Sequence, residues 1–194
     1  PLYVYYIFKR FMDVFLSFFA GLLSLLIYPF VYLAIKLEDR GPIFIVQERV
    51  GKNGRPIKIF KFRSMTTDDK GKWVVKNDPR ITKVGSFLRK SRIDELPQLW
   101  NVIKGDISLI GPRPELPKFV EIYDKDIPYY GMRHLIKPGL SGWAQIHHKK
   151  PPQSVEETKE KLAYDLYYIK HRSIMLDIEI ALKTIKTLLS RTGM

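Results

Sequence analysis

The sequence contains no cysteine. This absence excludes disulfide bonds, cysteine–zinc centres and thiol nucleophiles. The chain also lacks a phosphate-binding glycine loop, a dinucleotide-binding fingerprint and the Gly-x-Ser-x-Gly turn of serine hydrolases. It has no internal repeat, no low-complexity tract and no linker long enough to divide it. Any chemistry must therefore come from other residues of one compact unit.

Acidic residues are scarce relative to basic ones. The 194 residues include 20 Asp and Glu against 33 Lys and Arg, which gives a formal net charge of +13 at pH 7. Such an excess predicts a polyanionic partner: nucleic acid, an acidic membrane face or a phosphorylated substrate. Because no nucleic-acid-binding module is recognisable and the cations stand beside acidic motifs, we expect no nucleic-acid partner.

Residues 11–35 form one long apolar run. As a single helix at 1.5 Å per residue the run would be about 37 Å long, enough to cross a bilayer. Pro29 lies within it and predicts a bend. Lys and Arg flank the run on both sides, so the positive-inside rule gives no orientation. These residues leave a simple span and a re-entrant hairpin equally open.

After the apolar run, residues 43–50 and 57–62 predict two strands, and the intervening 51–54 (GKNG) predicts a hairpin turn. Period-two alternation places Lys61 and Arg63 on one face of the second strand. The polar stretch 66–79 is expected to be a loop.

Apolar residues at helical spacing between 96 and 103 predict a helix that ends at Gly105. Pro97 then lies in its first turn, which places Asp94 near the N-cap with Glu95 beside it. Two further helices are expected to close the chain. The last has an apolar stripe that suits either packing on the core or a membrane surface. The stripe consists of Ile178, Ala181, Leu182, Ile185, Leu188 and Leu189.

The adjacent carboxylates Asp94 and Glu95 have an ordinary interpretation, since a carboxylate at a helix N-terminus caps exposed amides. The surrounding residues favour a second one. Basic residues precede and follow the pair: Lys61, Arg63, Arg89, Arg92 and Arg113. Cations around a helix N-terminus favour phosphate binding. A carboxylate in such a place either holds a metal or attacks phosphorus to form an acyl phosphate.

Seven motifs occur in an order that is similar to one protein family. They are KRFMD at 9–13, QERVG at 47–51, KFRSM at 61–65, RIDELPQ at 92–98, GDISLIGPRP at 105–114, KPGLSGWAQ at 137–145 and YDLYY at 164–168. Together they resemble the bacterial sugar transferases of the monotopic phosphoglycosyl transferase superfamily. The resemblance runs from about residue 9 to about residue 189.

The resemblance implies an enzyme that moves a phosphosugar from a UDP-sugar to polyprenyl (undecaprenyl) phosphate and releases UMP. It implies that Asp94 is the nucleophile of a covalent intermediate and that Glu95 helps to hold Mg²⁺. The expected substrate-binding residues are Lys61, Arg63, Arg89, Pro112, Arg113 and Pro114. In the family, the Pro-Arg-Pro loop is associated with the uridine end of the substrate.

The resemblance also implies an α+β fold: a re-entrant membrane helix over residues 1–40, then a mainly helical catalytic domain over 41–194 with a β-hairpin and interfacial amphipathic helices. It predicts a location at the cytoplasmic face of the bacterial inner membrane and contact with membrane lipid. It also allows the chain to form a homodimer. Pro1 as first residue hints at a longer parent protein. The competing hypothesis is a membrane-tethered basic binding or scaffold module without catalysis.

Two departures from the family pattern stand out. The family commonly breaks its anchor at Ser-Pro, whereas Tyr28 precedes Pro29 here. Many members follow Ala-Gln with a Val-Asn-Gly-Arg-like stretch, whereas this chain has IHHKK at 146–150. We therefore assign no role to His147, His148 or the lysines that follow.

Overall fold

The computed structural model describes residues 2–66, 78–148, 152 and 154–190. In chain order the helices are α1 (Leu2–Ser24), α2 (Tyr28–Asp39), α3 (Lys83–Lys90), α4 (Gln98–Lys104), α5 (Pro117–Asp126), α6 (Trp143–His147), α7 (Val155–His171) and α8 (Ile174–Leu189). The strands are β1 (Phe44–Val50), β2 (Pro56–Phe62), β3 (Ser108–Ile110) and β4 (Gly139–Ser141). Short 3₁₀ turns cover Lys52–Gly54, Ile93–Glu95 and Tyr130–Leu135. The predicted α+β class is confirmed.

The apolar run forms two helices, α1 and α2, with a 56° bend between them. Among the described residues, no single helix has the length and apolarity to cross a membrane, whereas this bent pair together passes that test on length and composition alone. Pro29 lies in the first turn of α2, where its missing N–H costs least. Ser24 donates to the carbonyl of Gly21 at 2.7 Å, so a serine one turn earlier satisfies backbone at the bend.

The first turns of α1 are fastened to the rest of the chain by charged side chains. Arg10 donates to the carbonyls of Val102 at 2.6 Å and Ile103 at 2.7 Å, and so satisfies the C-terminal end of α4. The buried carboxylate of Asp13 accepts from the backbone N–H of Leu109 in β3 at 3.0 Å. Helix α1 therefore supports α4 and β3.

A second attachment joins α1 to the C-terminal helices. Asp177 Oδ2 accepts from Lys9 Nζ at 2.8 Å and from the hydroxyl of Tyr5 at 3.0 Å. Its Oδ1 accepts from the hydroxyl of Tyr168 at 2.6 Å. Because both carboxylate oxygens are bonded, this charge is stabilised where α1, α7 and α8 meet.

The predicted hairpin is confirmed. Strands β1 and β2 pair antiparallel, with Phe44 opposite Phe62 and Val50 opposite Pro56. The turn between them needs left-handed backbone, with φ of 56° at Asn53 and 74° at the following glycine, conformations that Asn and Gly adopt at low cost. The loop expected at 66–79 falls mostly on residues 67–77, which lie outside the described part of the chain.

A second, smaller sheet was not predicted. Strands β3 and β4 pair in parallel, with Ser108 opposite Gly139 and Ile110 opposite Ser141. The backbones come so close that a Cβ on Gly139 would lie 2.0 Å from the N atom of Gly111. This contact fixes the start of the loop that follows β3.

Helix α8 does not pack on the core through its predicted apolar stripe. Ile180 of α8 is fully buried against Ile110 and Tyr168. The predicted stripe stays largely exposed except for half-buried Ala181, with Ile178, Leu182, Ile185, Leu188 and Leu189 all open. Packing of this stripe on the core is therefore wrong, because Ile180 occupies the buried face. The membrane-surface alternative stays a prediction.

Asn101 joins α4 to β2 from a position that is 1% exposed. Its Oδ1 accepts from the N–H of Phe60 at 3.1 Å, and its Nδ2 donates to the carbonyl of Lys58 at 2.7 Å. The side-chain amide of Asn101 thus makes the hydrogen bonds with β2 that a neighbouring strand would make. Lys61 lies at the end of β2.

We predict that Asn101→Leu lowers the free energy of unfolding by about 1–3 kcal/mol, because two part-buried backbone groups of β2 lose their partners. Chemical denaturation in detergent measures this. The matched control is Asp106→Ala, which removes a longer 3.2 Å bond to the same amide and an exposed ion pair with Lys104, and is expected to cost less than about 1 kcal/mol. Equal stability of Asn101→Leu and the parent chain would contradict this role.

Candidate active site

The two adjacent carboxylates lie in a 3₁₀ turn directly before α4. Arg92 opens the turn with a left-handed φ of 58°. Backbone bonds from Leu96 to Ile93 and from Trp100 to Pro97 continue it into α4 without a break. Asp94 is 8% exposed and Glu95 is 6% exposed. The sequence therefore placed the pair correctly at the start of this helical segment.

The capping interpretation of the pair is wrong. Neither the 3₁₀ turn nor α4 has a side-chain bond at its N-cap, and those positions are Arg92 and Pro97. Asp94 Oδ1 is buried without any hydrogen-bond partner. Since buried polar atoms are nearly always bonded, this oxygen is kept free at a cost. An orphaned carboxylate oxygen of this kind suits a reacting group.

Glu95, by contrast, is held by three cations from three separate segments. Arg113 donates to Oε1 at 2.5 Å, Lys61 Nζ lies 3.6 Å from the same oxygen, and Arg92 Nη1 lies 3.3 Å from Oε2. Burial works against the charged form, but these positive charges outweigh it and hold the pKa of Glu95 well below its usual range. Glu95 is therefore a fixed negative charge.

The surroundings of Asp94 shift its pKa in the opposite direction, above the usual range of an aspartate. Burial first, and then the charge of neighbouring Glu95, raise the pKa of Asp94 to about 6 against the opposing effect of Lys61, Arg89 and Arg113. Two adjacent carboxylates in one site cannot both ionise freely, so their pKa values separate. The geometry thus distinguishes a permanently charged carboxylate from one that exchanges a proton near neutral pH.

Lys61 lies at the end of β2 with its side chain 14% exposed. Burial, opposed by the charge of Glu95 and reinforced by Arg113 and Arg49, lowers the pKa of Lys61 to about 8. It remains largely protonated at neutral pH. The site therefore presents cations on one side of the pair, as an anionic substrate requires.

Arg63 and Arg89 are placed differently from Lys61. Strand β2 ends at Phe62, so alternation no longer directs Arg63, whose guanidinium pairs with Asp39 and donates to the carbonyl of Pro42 at 2.5 Å. Arg89 lies in the last turn of α3, where its charge acts on Asp94. The structure brings Arg89 into the site and Arg63 to the end of α2, so substrate binding by Arg63 stays a prediction.

The loop after β3 carries the predicted Pro-Arg-Pro segment. Pro112 accepts from the N–H of Gly139 at 2.9 Å, and Pro114 accepts from Arg49 at 3.3 Å. Between the prolines, Arg113 extends to Glu95. The predicted residues of this loop therefore do meet the carboxylate pair, through Arg113.

Behind the loop lies a buried charged cluster that the sequence did not reveal. Arg133 pairs with Asp165 at 2.7 Å, and Lys161 pairs with Glu115 at 2.5 Å. The signal available was weak: Asp165 belongs to the YDLYY motif, but no spacing connects it with Arg133.

The two carboxylates of the pair fit a magnesium ion only if substrate phosphates complete its coordination. Within the described ranges, no group of three or more His, Cys, Asp or Glu side chains is arranged to hold a metal. Mg²⁺, however, often binds through one or two carboxylates together with substrate phosphates. The orphaned oxygen of Asp94 is such a donor, whereas both oxygens of the ionised Glu95 already face cations. The assignment of Mg²⁺ to Glu95 stays a prediction.

Comparison with known proteins identifies the family of this chain. The model of a family described as bacterial sugar transferase matches residues 4–191. An Aeromonas hydrophila protein named UDP-N-acetylgalactosamine-undecaprenyl-phosphate N-acetylgalactosaminephosphotransferase is 44% identical over 100% of this chain and 46% of its own length. The UDP-glucose:undecaprenyl-phosphate glucose-1-phosphate transferase of Escherichia coli K12 is 43% identical over 86% of this chain and 37% of its own. The chain belongs to the bacterial sugar transferase family, and the resemblance drawn from the motifs is confirmed.

The lengths of these relatives differ. The chain spans less than half of the two proteins just named. The exopolysaccharide production protein PSS of Rhizobium leguminosarum is 40% identical over 94% of this chain and 96% of its own length. Because each match covers at least 86% of this chain, the segment that is similar in all three includes the carboxylates and the Pro-Arg-Pro loop.

We predict that the carboxyl of Asp94 titrates with a pKa of about 6, because burial raises it. A raised pKa means that the group takes up its proton at a higher pH than an ordinary aspartate, so it is mostly ionised only above pH 6. In Lys61→Met the pKa of Asp94 should rise further, since a cation that lowers it is lost. NMR of aspartate labelled with ¹³C in the carboxyl measures both.

Asp94→Asn assigns the signal in that titration. A midpoint near 4, the ordinary range for aspartate, would contradict the account of this site.

Proposed function

We propose that the chain is a phosphoglycosyl transferase that moves a sugar phosphate from a UDP-sugar to polyprenyl phosphate. One observation carries the proposal: Asp94 has an orphaned buried oxygen beside a carboxylate that three cations hold ionised. The names of relatives describe UDP-sugar donors and undecaprenyl phosphate acceptors, which supports the same substrates here.

In the first step, the carboxylate of Asp94 attacks the β-phosphorus of the UDP-sugar. A bond forms between Asp94 and the β-phosphorus, and the bond from that phosphorus to the bridging oxygen breaks. UMP leaves with the electron pair, and an acyl-phosphate sugar remains on Asp94. The cations around Glu95 favour this step because they stabilise the charge that spreads over the phosphoryl oxygens.

In the second step, an oxygen of polyprenyl phosphate attacks the same phosphorus. The bond to Asp94 breaks, its carboxylate is regenerated, and polyprenyl diphosphate sugar is formed. Glu95 would hold Mg²⁺, which would supply positive charge to the donor diphosphate in the first step and assist the departure of UMP. Two successive displacements predict ping-pong kinetics. The reaction would begin the membrane-bound assembly of a bacterial glycan such as an exopolysaccharide.

The two carboxylates of the pair have different roles because their electrostatic surroundings differ. Glu95 cannot be freed easily, because Arg113, Lys61 and Arg92 face it. Asp94 is the carboxylate whose oxygen remains available, so it is the better nucleophile. Lys61, Arg89 and Arg113 would then receive the diphosphate of the donor.

The anchor is proposed to be re-entrant, with both ends at the cytoplasmic face of the bacterial inner membrane and residues 41–194 forming the catalytic domain. The 56° bend between α1 and α2 supports this arrangement. The exposed stripe of α8 supports lipid contact. A homodimer stays a prediction.

We expect Asp94→Asn to release UMP from a UDP-sugar at least about 10³-fold more slowly than the parent chain, because an amide is a poor nucleophile. The assay uses purified protein in nanodiscs with polyprenyl phosphate and Mg²⁺. The control is Asp106→Asn, which changes an aspartate outside the pair in the same way. Full activity of Asp94→Asn would exclude the mechanism, whereas binding of polyanions without turnover in the parent chain would favour the non-catalytic module.

The anchor topology can be tested because the chain has no cysteine. We expect single cysteines in Tyr3→Cys and Lys52→Cys to react with an impermeant maleimide from the same side of membrane vesicles. Both positions are exposed, one at the start of α1 and the other in the hairpin turn. Labelling from opposite sides would show a simple span instead. Leu26→Cys, near the bend, is the control and should react from neither side.

A further inference from the structure

The segment that carries Arg113 has little capacity to anchor itself. Pro112 and Pro114 have no N–H, so the segment is held mainly through its carbonyl groups. The carbonyl of Pro112 accepts from Gly139 N at 2.9 Å, and that of Glu115 accepts from Val50 N at 2.9 Å. These two bonds, with the longer one from Arg49 to the carbonyl of Pro114 at 3.3 Å, hold the residues on either side of Arg113. The carbonyl of Arg113 itself depends on another donor.

That donor is Arg133, in the 3₁₀ turn Tyr130–Leu135. Its Nη2 donates to the carbonyl of Arg113 at 2.8 Å. The same guanidinium donates to Asp165 Oδ2 through Nε at 3.0 Å and Nη2 at 2.7 Å, and to the hydroxyl of Tyr130 through Nη1 at 3.2 Å. One rigid group thus connects α7 with the main chain of the arginine that contacts Glu95.

Burial restricts the movement of the Arg133 and Asp165 side chains. Arg133 is 3% exposed and Asp165 is 2% exposed. Two charges that are removed from water in this way persist only with good geometry and satisfied bonds. The planar guanidinium supplies several donors at fixed angles, which a lysine ammonium does not reproduce. The position of the Arg113 carbonyl is therefore set by a group that has little freedom to move.

We propose that Arg133 and Asp165 are positioning residues for the transfer reaction. They fix the main chain of Arg113 so that its side chain meets Glu95, and they touch neither carboxylate of the pair themselves. Tyr130 completes the support of the guanidinium. This inference rests on the proposed function, and it adds a connection from α7 to the reaction centre.

A double-mutant cycle tests the proposal, because residues that act through one another are not additive. Arg133→Met is expected to lower kcat/KM for UMP release by about 10- to 100-fold, the loss that displacement of a catalytic group causes. In an Arg113→Met background, the same change should lower kcat/KM by no more than about threefold. Independent losses that multiply in the double variant would overturn the proposal, as would wild-type kcat/KM in Arg133→Met.

Two further variants separate positioning from folding. Asp165→Asn keeps the shape of the cluster and takes the place of Arg133→Met in the cycle if that protein does not fold. Tyr168→Phe is the control for lost stability, since it removes a buried bond to Asp177 from the same helix. It should lower the melting temperature while keeping kcat within about threefold of wild type. Loss of activity in proportion to stability across all variants would show a structural role only.

The measurements of UMP release also distinguish failure of the proposed function from failure of the positioning role. If the parent chain releases UMP and Asp94→Asn does not, the function stands whatever the cycle shows. If the parent chain does not release UMP, the cycle is measured instead as the pKa of Glu95 by NMR. Arg133→Met should then raise that pKa in the parent but not in the Arg113→Met background, and an equal rise in both would refute the positioning role.

Discussion

The ion pair between Arg113 and Glu95 is the contact on which the rest of the site depends. With Lys61 and Arg92 it keeps one buried carboxylate ionised, and burial together with that fixed charge raises the pKa of Asp94. Without it, two neighbouring carboxylates would share their protons and neither would have a defined role. The chemistry proposed for Asp94 is therefore a consequence of how Glu95 is held.

The fold brings the members of this site together from distant parts of the sequence. Strand β2 supplies Lys61, the 3₁₀ turn supplies the carboxylates, and the loop after β3 supplies Arg113. Helix α1 supports the elements next to two of these, since Arg10 bonds the end of α4, which follows the turn, and Asp13 bonds β3, which precedes the loop. Helix α1 is thus part of the framework of the site, so the proposed membrane anchor and the proposed reaction centre form one structural unit.

Local patterns predicted the hairpin, the helix after Asp94 and the cations around the pair, because alternation and helical spacing are short-range signals. They did not predict β3 and β4, since three-residue strands leave no pattern. Arg63 was grouped with Lys61, but the strand ends before it. Arg133 and Asp165 could not be connected, because the pair is 32 residues apart and its contact arises only from tertiary packing.

The most direct test of the account is the mass of the protein after incubation with a UDP-sugar in the absence of polyprenyl phosphate. The account predicts that intact-protein mass spectrometry finds an increase equal to one sugar phosphate, that peptide mapping assigns it to Asp94, and that added polyprenyl phosphate removes it. Release of UMP only in the presence of the lipid, with no adduct on Asp94, would mean direct transfer between the two substrates and would contradict the account.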